Sequence, residues 1–221
     1  MRRVPDGCEV VWLDLLTADR VEQLLSPEEQ ARARDFRRSE DRASFVTTRA
    51  KLRELIGRKL GVPPADVAFV AGEHGKPQLP RHELHFSVAH CEGHAIVALR
   101  EQGPVGVDVE PLTASLRERD AIARRVLSSR ERQWLSDRPE ATKTRDFVRL
   151  WVLKEAFAKC IGFGLSGPLH ELEADMGDDG PRGVRWLGHP ERSFVAVELA
   201  RDEGVAAALV TETTGSERSG V

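Results

Sequence analysis

Residues 150–165 read LWVLKEAFAKCIGFGL. On a helix begun near Phe147 and turning 100° per residue, Phe147, Leu150, Phe157, Ala158 and Ile161 fall on one stripe, and Lys154 falls inside it. Glu155 and Lys159 lie just past the edge of that stripe, on the side of Trp151. A lysine is seldom fully buried without a partner, because an unpaired buried charge is costly. The stretch therefore predicts a core helix with an anion against its flank, and the nature of that anion becomes the first question about the protein.

The rest of the chain supplies what such a helix packs against. CEVVWLDLL (8–16) reads as a first strand, and ADVAFVAG (65–72) and LHFSVAH (84–90) as short strands. HAIVALR (94–100) and VGVDVE (105–110), joined by EQGP, read as a hairpin; SFVAVELA (193–200) and GVAAALVT (204–211) close the chain as strands. SPEEQARARDF (26–36) opens a helix, with Ser26 suited to the N-cap, Pro27 to the first position, and Glu28 and Glu29 to the first turn. A second helix is predicted from about Glu40 to Lys59, stopped near Gly61, and a third from about Leu116 to Leu135. Strands mixed with helices, without a regular βαβ rhythm, point to an α+β fold.

A faint repeat runs through this order at an offset of 102. Leu25, Ser26 and Glu29 match Leu127, Ser128 and Glu131; Phe45 matches Phe147, and Leu55 matches Phe157. Helix periodicity alone generates some of these matches; a true duplication makes the chain two similar lobes with a cleft between them. At that offset, Arg49, Leu52 and Arg53 stand where the second half has Trp151, Lys154 and Glu155.

Composition narrows the class. The 221 residues are 40% hydrophobic, enough for a real core, and the net charge of −3 gives no strong global pull toward nucleic acid or an anionic membrane. No apolar run reaches membrane-spanning length, and Glu9 and Asp14 interrupt the first apolar stretch, so a signal peptide is not expected. Three scattered cysteines, Cys8, Cys91 and Cys160, fit reduced thiols and a cytoplasmic location. His82, His85, His90, Cys91 and His94 match the spacing of no common zinc module. The end, TETTGSERSGV, reads as a loose polar tail.

Four further segments carry candidate chemistry. In VGVDVE taken as a strand, Gly106, Asp108 and Glu110 share one face: a place for a hard cation such as Mg²⁺, or a solvated strand face. EHGKPQLP holds Lys76 between Gly75 and Pro77, and reads by itself as a turn. In HFSVAHCEGHA, His90 follows Ala89 at the strand's end. Arg32, Arg34, Arg37, Arg38 and Arg42 form a basic set, either an exposed helix face or a hold for phosphates.

In order, SPEEQARARDF, GKP, FSVAH, GVDVE and WVLKEAFAK resemble the 4′-phosphopantetheinyl transferase superfamily in its long, Sfp-type form, from about Trp12 to Val210. The resemblance implies a monomer of two similar α+β lobes in pseudo-twofold arrangement, each a small antiparallel sheet packed with a long helix: residues 1–103, then 104–211, then a tail 212–221. It implies transfer of the phosphopantetheine arm of coenzyme A to a serine of an apo acyl or peptidyl carrier protein, with release of adenosine 3′,5′-bisphosphate. By the same resemblance Asp108, Glu110 and Glu155 hold Mg²⁺ bridging to the pyrophosphate, and Lys154 and Lys159 lie near the phosphates. Glu155, or a metal-bound water, takes the serine proton. His90 and the backbone near Ser87 contact phosphate, Gly75, Lys76 and Pro77 meet the adenosine end, and Arg32 helps hold the 3′-phosphate. Ala89 stands where many relatives have serine, and Glu29 where some have a basic residue. The basic segment with Leu116, Ile122, Val126 and Leu127 as apolar positions is expected to dock the acidic carrier, through Arg117, Arg119, Arg124 and Arg125, or to be a plain lobe helix. A hydrolase of pyrophosphate compounds and a non-catalytic coenzyme A-binding protein are the alternative classes.

Overall fold

The computed structural model describes residues 3–15, 21–72, 77–81, 84–91, 93–113, 119–163, 167–177, 180–199 and 204–213. The architecture is α+β, built on two antiparallel sheets of different size. In the first half, β1 (Cys8–Asp14), β5 (His94–Arg100) and β4 (His85–Cys91) form a three-stranded sheet in the order β1-β5-β4. The helix α1 (Pro27–Asp35) leads into α2 (Ser39–Leu60), whose Leu52, Leu55 and Ile56 pack on Leu13, Phe86, Val97 and Leu99 of the sheet. A two-residue pair, β2 (Val70–Ala71) with β3 (Pro77–Gln78), lies between α2 and β4 in the chain.

The second half repeats the plan with more strands. The strand β6 (Val105–Pro111) pairs with β10 (Val205–Glu212), and the sheet continues through β9 (Phe194–Glu198), β8 (Gly180–Trp186) and β7 (Leu172–Gly177). The helices α3 (Arg119–Val126) and α4 (Ser129–Ser136) precede α5 (Glu140–Ile161), the helix of the opening stretch. Phe147, Leu150, Leu153 and Phe157 of α5 pack on Ala174, Phe194, Ala208 and Val210. A third apolar cluster lies between the halves: Ala89, Ile96 and Ala98 meet Val105, Val107, Val109 and Leu209. Among the described residues, no helix is long and apolar enough to cross a membrane.

Five sequence readings change. The predicted hairpin of 94–100 with 105–110 does not form, because both edges of β5 are taken by β1 and β4. Arg100 holds the turn instead: its Nη1 donates to the carbonyls of Pro104 (3.2 Å) and Glu212 (2.6 Å), and the chain crosses into the second sheet. The helix expected over 116–135 is broken at Leu127–Ser128, where Ser128 caps α4. The stretch 65–72 begins in a 3-10 turn (Pro64–Asp66), runs on without regular structure, and has only two strand residues, Val70 and Ala71. Helix α5 begins at Glu140, about two turns before Phe147. Glu212, assigned to the tail, ends β10 and pairs with Arg192 at 2.7 Å.

The internal repeat has a structural counterpart. Ser26 and Glu29 form a reciprocal capping box on α1, and Ser128 and Glu131 form the same box on α4. Both long helices have 22 residues and end on a left-handed glycine, Gly61 (φ 70°) and Gly162 (φ 86°). Each capping glutamate also holds a buried cation of the long helix. Glu29 takes Arg53 (Nε–Oε2 2.7 Å), and Glu131 takes Lys154 (Nζ–Oε2 2.6 Å). Each cation then donates to carbonyls at a 3-10 turn: Arg53 to Pro64, Ala65 and Val67, and Lys154 to Leu169 and Leu172. In structure, therefore, Lys154 corresponds to Arg53, not to Leu52 as the offset of 102 has it.

Candidate active site

The approach of α5 to β6 begins at Gly106. A Cβ there would lie 1.9 Å from the carbonyl oxygen of Ala156 and 2.4 Å from the amide nitrogen of Cys160. The helix backbone thus lies directly on the strand, and glycine is the residue that permits it. The even-numbered side chains of β6 point up under α5, so the face carrying Asp108 and Glu110 is not a solvated one; Asp108 is 3% exposed. The turn of α5 above them presents Glu155 and Lys159. Asp108, Glu110 and Glu155 each bring one carboxylate oxygen into a group whose members all lie within 4.8 Å of one another.

Lys159 donates to Asp108 Oδ1 at 2.6 Å, while Asp108 Oδ2 is buried without a hydrogen-bond partner. Burial is the first cause that pushes the Asp108 carboxyl up, and Lys159 opposes it. Glu110 is raised by burial and then by the charge of Asp108; Lys159 and a hydrogen bond from Trp151 pull the other way. Glu155 is pushed up to about 8, by burial first and then by Asp108 and Glu110, against Lys159. Three carboxylates with one ammonium are short of positive charge, and their oxygens could hold an oxygen-preferring divalent cation.

Gly106→Ala should disable this site through packing. The added methyl has no space against helix backbone, so α5 must lift from β6, at a cost of about 1–3 kcal/mol or more. Its melting temperature should fall, and its affinity for divalent cations should fall with it. Wild-type values for both would show that α5 does not rest on Gly106.

The structure corrects one site residue. Lys154 is not in the carboxylate group. Its ammonium is 1% exposed and held by Glu131, itself 1% exposed, and by the carbonyls of Leu169 and Leu172. Burial lowers the Lys154 ammonium and raises the Glu131 carboxyl, and each opposes the other's shift. The anion sought by the opening stretch is thus a glutamate of the protein. In the sequence, Glu131 stands out only as a repeat match of Glu29, and the S-x-x-E spacing of a capping box at 128–131 is the signal that marks it.

The other candidates fall in several places. His90 is exposed on β4; partial desolvation lowers its pKa, Lys159 lowers it further, and Asp41 on α2 opposes. Ser87 is 1% exposed and its hydroxyl accepts the amide of Val107 at 3.1 Å. Pro77 is half-buried on β3, and Gly75 and Lys76 lie outside the described residues. Arg32 is exposed on α1 with its guanidinium 5.3 Å from the centre of the Phe45 ring. Glu29 is engaged by Arg53 and, at 3.4 Å, by Arg49. In the expected docking segment, Arg124 and Arg125 are exposed and Val126 and Leu127 are buried, while Leu116 and Arg117 lie outside the described residues and α3 begins at Arg119.

Fold and site define an α+β protein of two like halves with a lysine-flanked carboxylate centre on the second. The family described as 4′-phosphopantetheinyl transferase superfamily matches residues 104–210, and the one described as 4′-phosphopantetheinyl transferase, N-terminal, matches 17–102. A 4′-phosphopantetheinyl transferase of Bacillus subtilis is 30% identical over 84% of this chain and 81% of its own. The 4′-phosphopantetheinyl transferase HetI of a Nostoc species is 30% identical over 86% of this chain and 80% of its own. A protein of a Synechocystis species, named as a putative 4′-phosphopantetheinyl transferase, is 35% identical over 69% of this chain, a match that spans 63% of that relative's length. The chain belongs to the 4′-phosphopantetheinyl transferase superfamily.

Proposed function

We propose that the protein transfers the 4′-phosphopantetheine arm of coenzyme A to a serine hydroxyl of an acyl or peptidyl carrier protein. The serine oxygen bonds to the phosphorus that bears the pantetheine, the bond from that phosphorus to the bridging pyrophosphate oxygen breaks, and adenosine 3′,5′-bisphosphate leaves. The observation that carries this reading is the group Asp108, Glu110 and Glu155 beside Lys159, on a chain of this family. The donors are all carboxylate oxygens, and one of them, Asp108 Oδ2, is buried and unpartnered, which suits Mg²⁺. Bound there, Mg²⁺ supplies charge neutralisation for the pyrophosphate. Lys159 adds a cation beside the leaving phosphate. Glu155 accepts the serine proton, directly or through a water. In this reading residues 1–103 serve the adenosine end, with Arg32 and His90 toward phosphate and Lys76 and Pro77 toward the base. Residues 104–211 serve the metal and the reacting phosphorus, and the exposed Arg124 and Arg125 meet the acidic carrier.

The test is the mass of an apo carrier protein incubated with coenzyme A, Mg²⁺ and the protein. A gain equal to phosphopantetheine, absent without Mg²⁺, is the expected result; release of adenosine bisphosphate without any carrier product would indicate a hydrolase instead. The metal should also compete with a proton. Glu155 ionises near 8, so at pH 6.5 the cation must displace a proton that is already gone at pH 8.5. Apparent Mg²⁺ affinity should therefore rise on the order of 10-fold between those two values, as the displaced-proton relation requires. Calorimetric titration in two buffers of different ionisation heat would register the released proton; equal affinity at both pH values would remove Glu155 from the ligand set.

A further inference from the structure

The strands β4 and β6 are outer strands of different sheets, and among the described residues no backbone ladder joins them. They nevertheless lie side by side, and each carries part of the proposed site: His90 on β4, Asp108 and Glu110 on β6. The apolar cluster at this seam, which includes Ala89, Val105, Val107, Val109 and Leu209, is held by packing. Such a contact sets a separation but is non-directional, and it fixes the stagger of one strand along the other only weakly. A hydrogen bond fixes both distance and direction. A bond that crosses this gap is made by Ser87, whose Oγ accepts the Val107 amide at 3.1 Å in a fully buried setting. Val107 immediately precedes Asp108, and Ser87 lies three residues before His90. Another contact, from Arg100 to the carbonyls of Pro104 and Glu212, sits at the β5–β6 turn and works as a pivot there.

We propose that Ser87 is a positioning residue: its hydroxyl, standing in for the carbonyl that a continuous sheet would offer Val107, sets the register of β4 against β6. It thereby holds His90 at its place relative to Asp108 and Lys159. The consequence for catalysis rests on the transfer reaction proposed above. The hydroxyl touches neither substrate nor metal in this account. Its effect is on how well one coenzyme A molecule can be held by both halves at once, so it governs KM for coenzyme A more than kcat.

Two variants and two readouts test this. Ser87→Ala deletes the acceptor, and Ser87→Cys keeps the buried volume nearly constant while offering only a weak acceptor. Hydrogen exchange at the Val107 amide should accelerate at least 10-fold in both, with amides of 150–157 unchanged. In steady-state transfer to one fixed apo carrier, KM for coenzyme A should rise about 10-fold, while kcat falls by less than about threefold, the pattern expected when ground-state and transition-state binding are lost together. If Ser87→Ala does not fold, Ser87→Cys decides. Wild-type KM in the folded variant, or wild-type protection of Val107, overturns the proposal, as does a lowered melting temperature with KM unchanged, the mark of a merely structural bond. If the wild-type protein itself fails to modify any carrier, it is the transferase reading that falls, and exchange at Val107 still decides whether Ser87 ties the strands.

Discussion

Lys154→Met lowers the stability of the protein by about 3–5 kcal/mol, the usual cost of removing one partner of a buried ion pair. Methionine fills the apolar stripe of α5 as well as the lysine stem does, so the loss is not one of volume. It is electrostatic. Glu131 remains buried, its Oε1 accepting the amide of Ala174 and its Oε2 the amide of Ser128, with the cation gone from Oε2. Two carbonyls, of Leu169 and Leu172, lose their donor as well. Two controls separate this from a phosphate-binding role. The double variant Lys154→Met/Glu131→Gln should recover much of the loss, because a pair removed together leaves no stranded charge. The deficit of the single variant should also shrink as pH falls. Glu131 is already raised by burial, and with Lys154 gone it is raised further, so acid protonates it and lifts the penalty that exists above its folded-state pKa. Chemical denaturation of the three proteins at pH 8 and pH 5.5 measures both effects. A single variant as stable as wild type at pH 8 would mean that Glu131 does not depend on Lys154.

That result depends on a register the sequence conceals by one residue. Capping boxes at 26–29 and 128–131 are legible as S-x-x-E, and they are 102 apart. However, α1 has nine residues and α4 has eight, so beyond them the halves run 101 apart, as the glycines at 61 and 162 do. The Phe45–Phe147 and Leu55–Phe157 matches are then products of helical period rather than of common position, and Arg53 stays hidden as the counterpart of Lys154. Alternation along 105–110 places Asp108 and Glu110 on one face but leaves a solvated face open, and it is the resemblance carried by GVDVE and WVLKEAFAK that joins Glu155 to them. What β6 lies against is not local. The apolar alternation of 94–100 and 105–110 suits a hairpin as well as two separate sheets; β5 pairs instead with the strand just before it, β4, and with the distant β1, which together leave it no free edge. Strands β7 and β8 escaped reading for a different reason: LEADMG and GPRGVRW contain glycine, proline and charged residues that strand propensity disfavours, and pairing with β9 and cover from α4 and α5 override it.

The larger effect on activity is expected at Asp108. Asp108→Ala should reduce carrier modification on the order of 100-fold or more, since a lost charged ligand removes several kcal/mol from the stabilisation of developing phosphate charge. The fold should survive. Asp108 is a buried carboxylate whose ionisation is opposed by its surroundings, with one oxygen unpartnered, so its removal relieves a desolvation cost even as Lys159 loses its 2.6 Å partner. The same substitution also alters Glu155, because the charge of Asp108 is the second cause, after burial, of its displacement to about 8. With Asp108 gone, Glu155 ionises at lower pH, and proton competition against Mg²⁺ weakens. Two signatures should thus appear together in one variant: transfer nearly abolished, and residual metal binding that changes less between pH 6.5 and 8.5 than in the wild type. A thermal melt beside single-turnover transfer at saturating Mg²⁺ measures the first, and the two-buffer titration the second. Transfer within a few-fold of wild type would separate this cluster from the chemistry. Abolished transfer with an unaltered pH dependence of metal binding would place Asp108 in the reaction but deny its electrostatic coupling to Glu155.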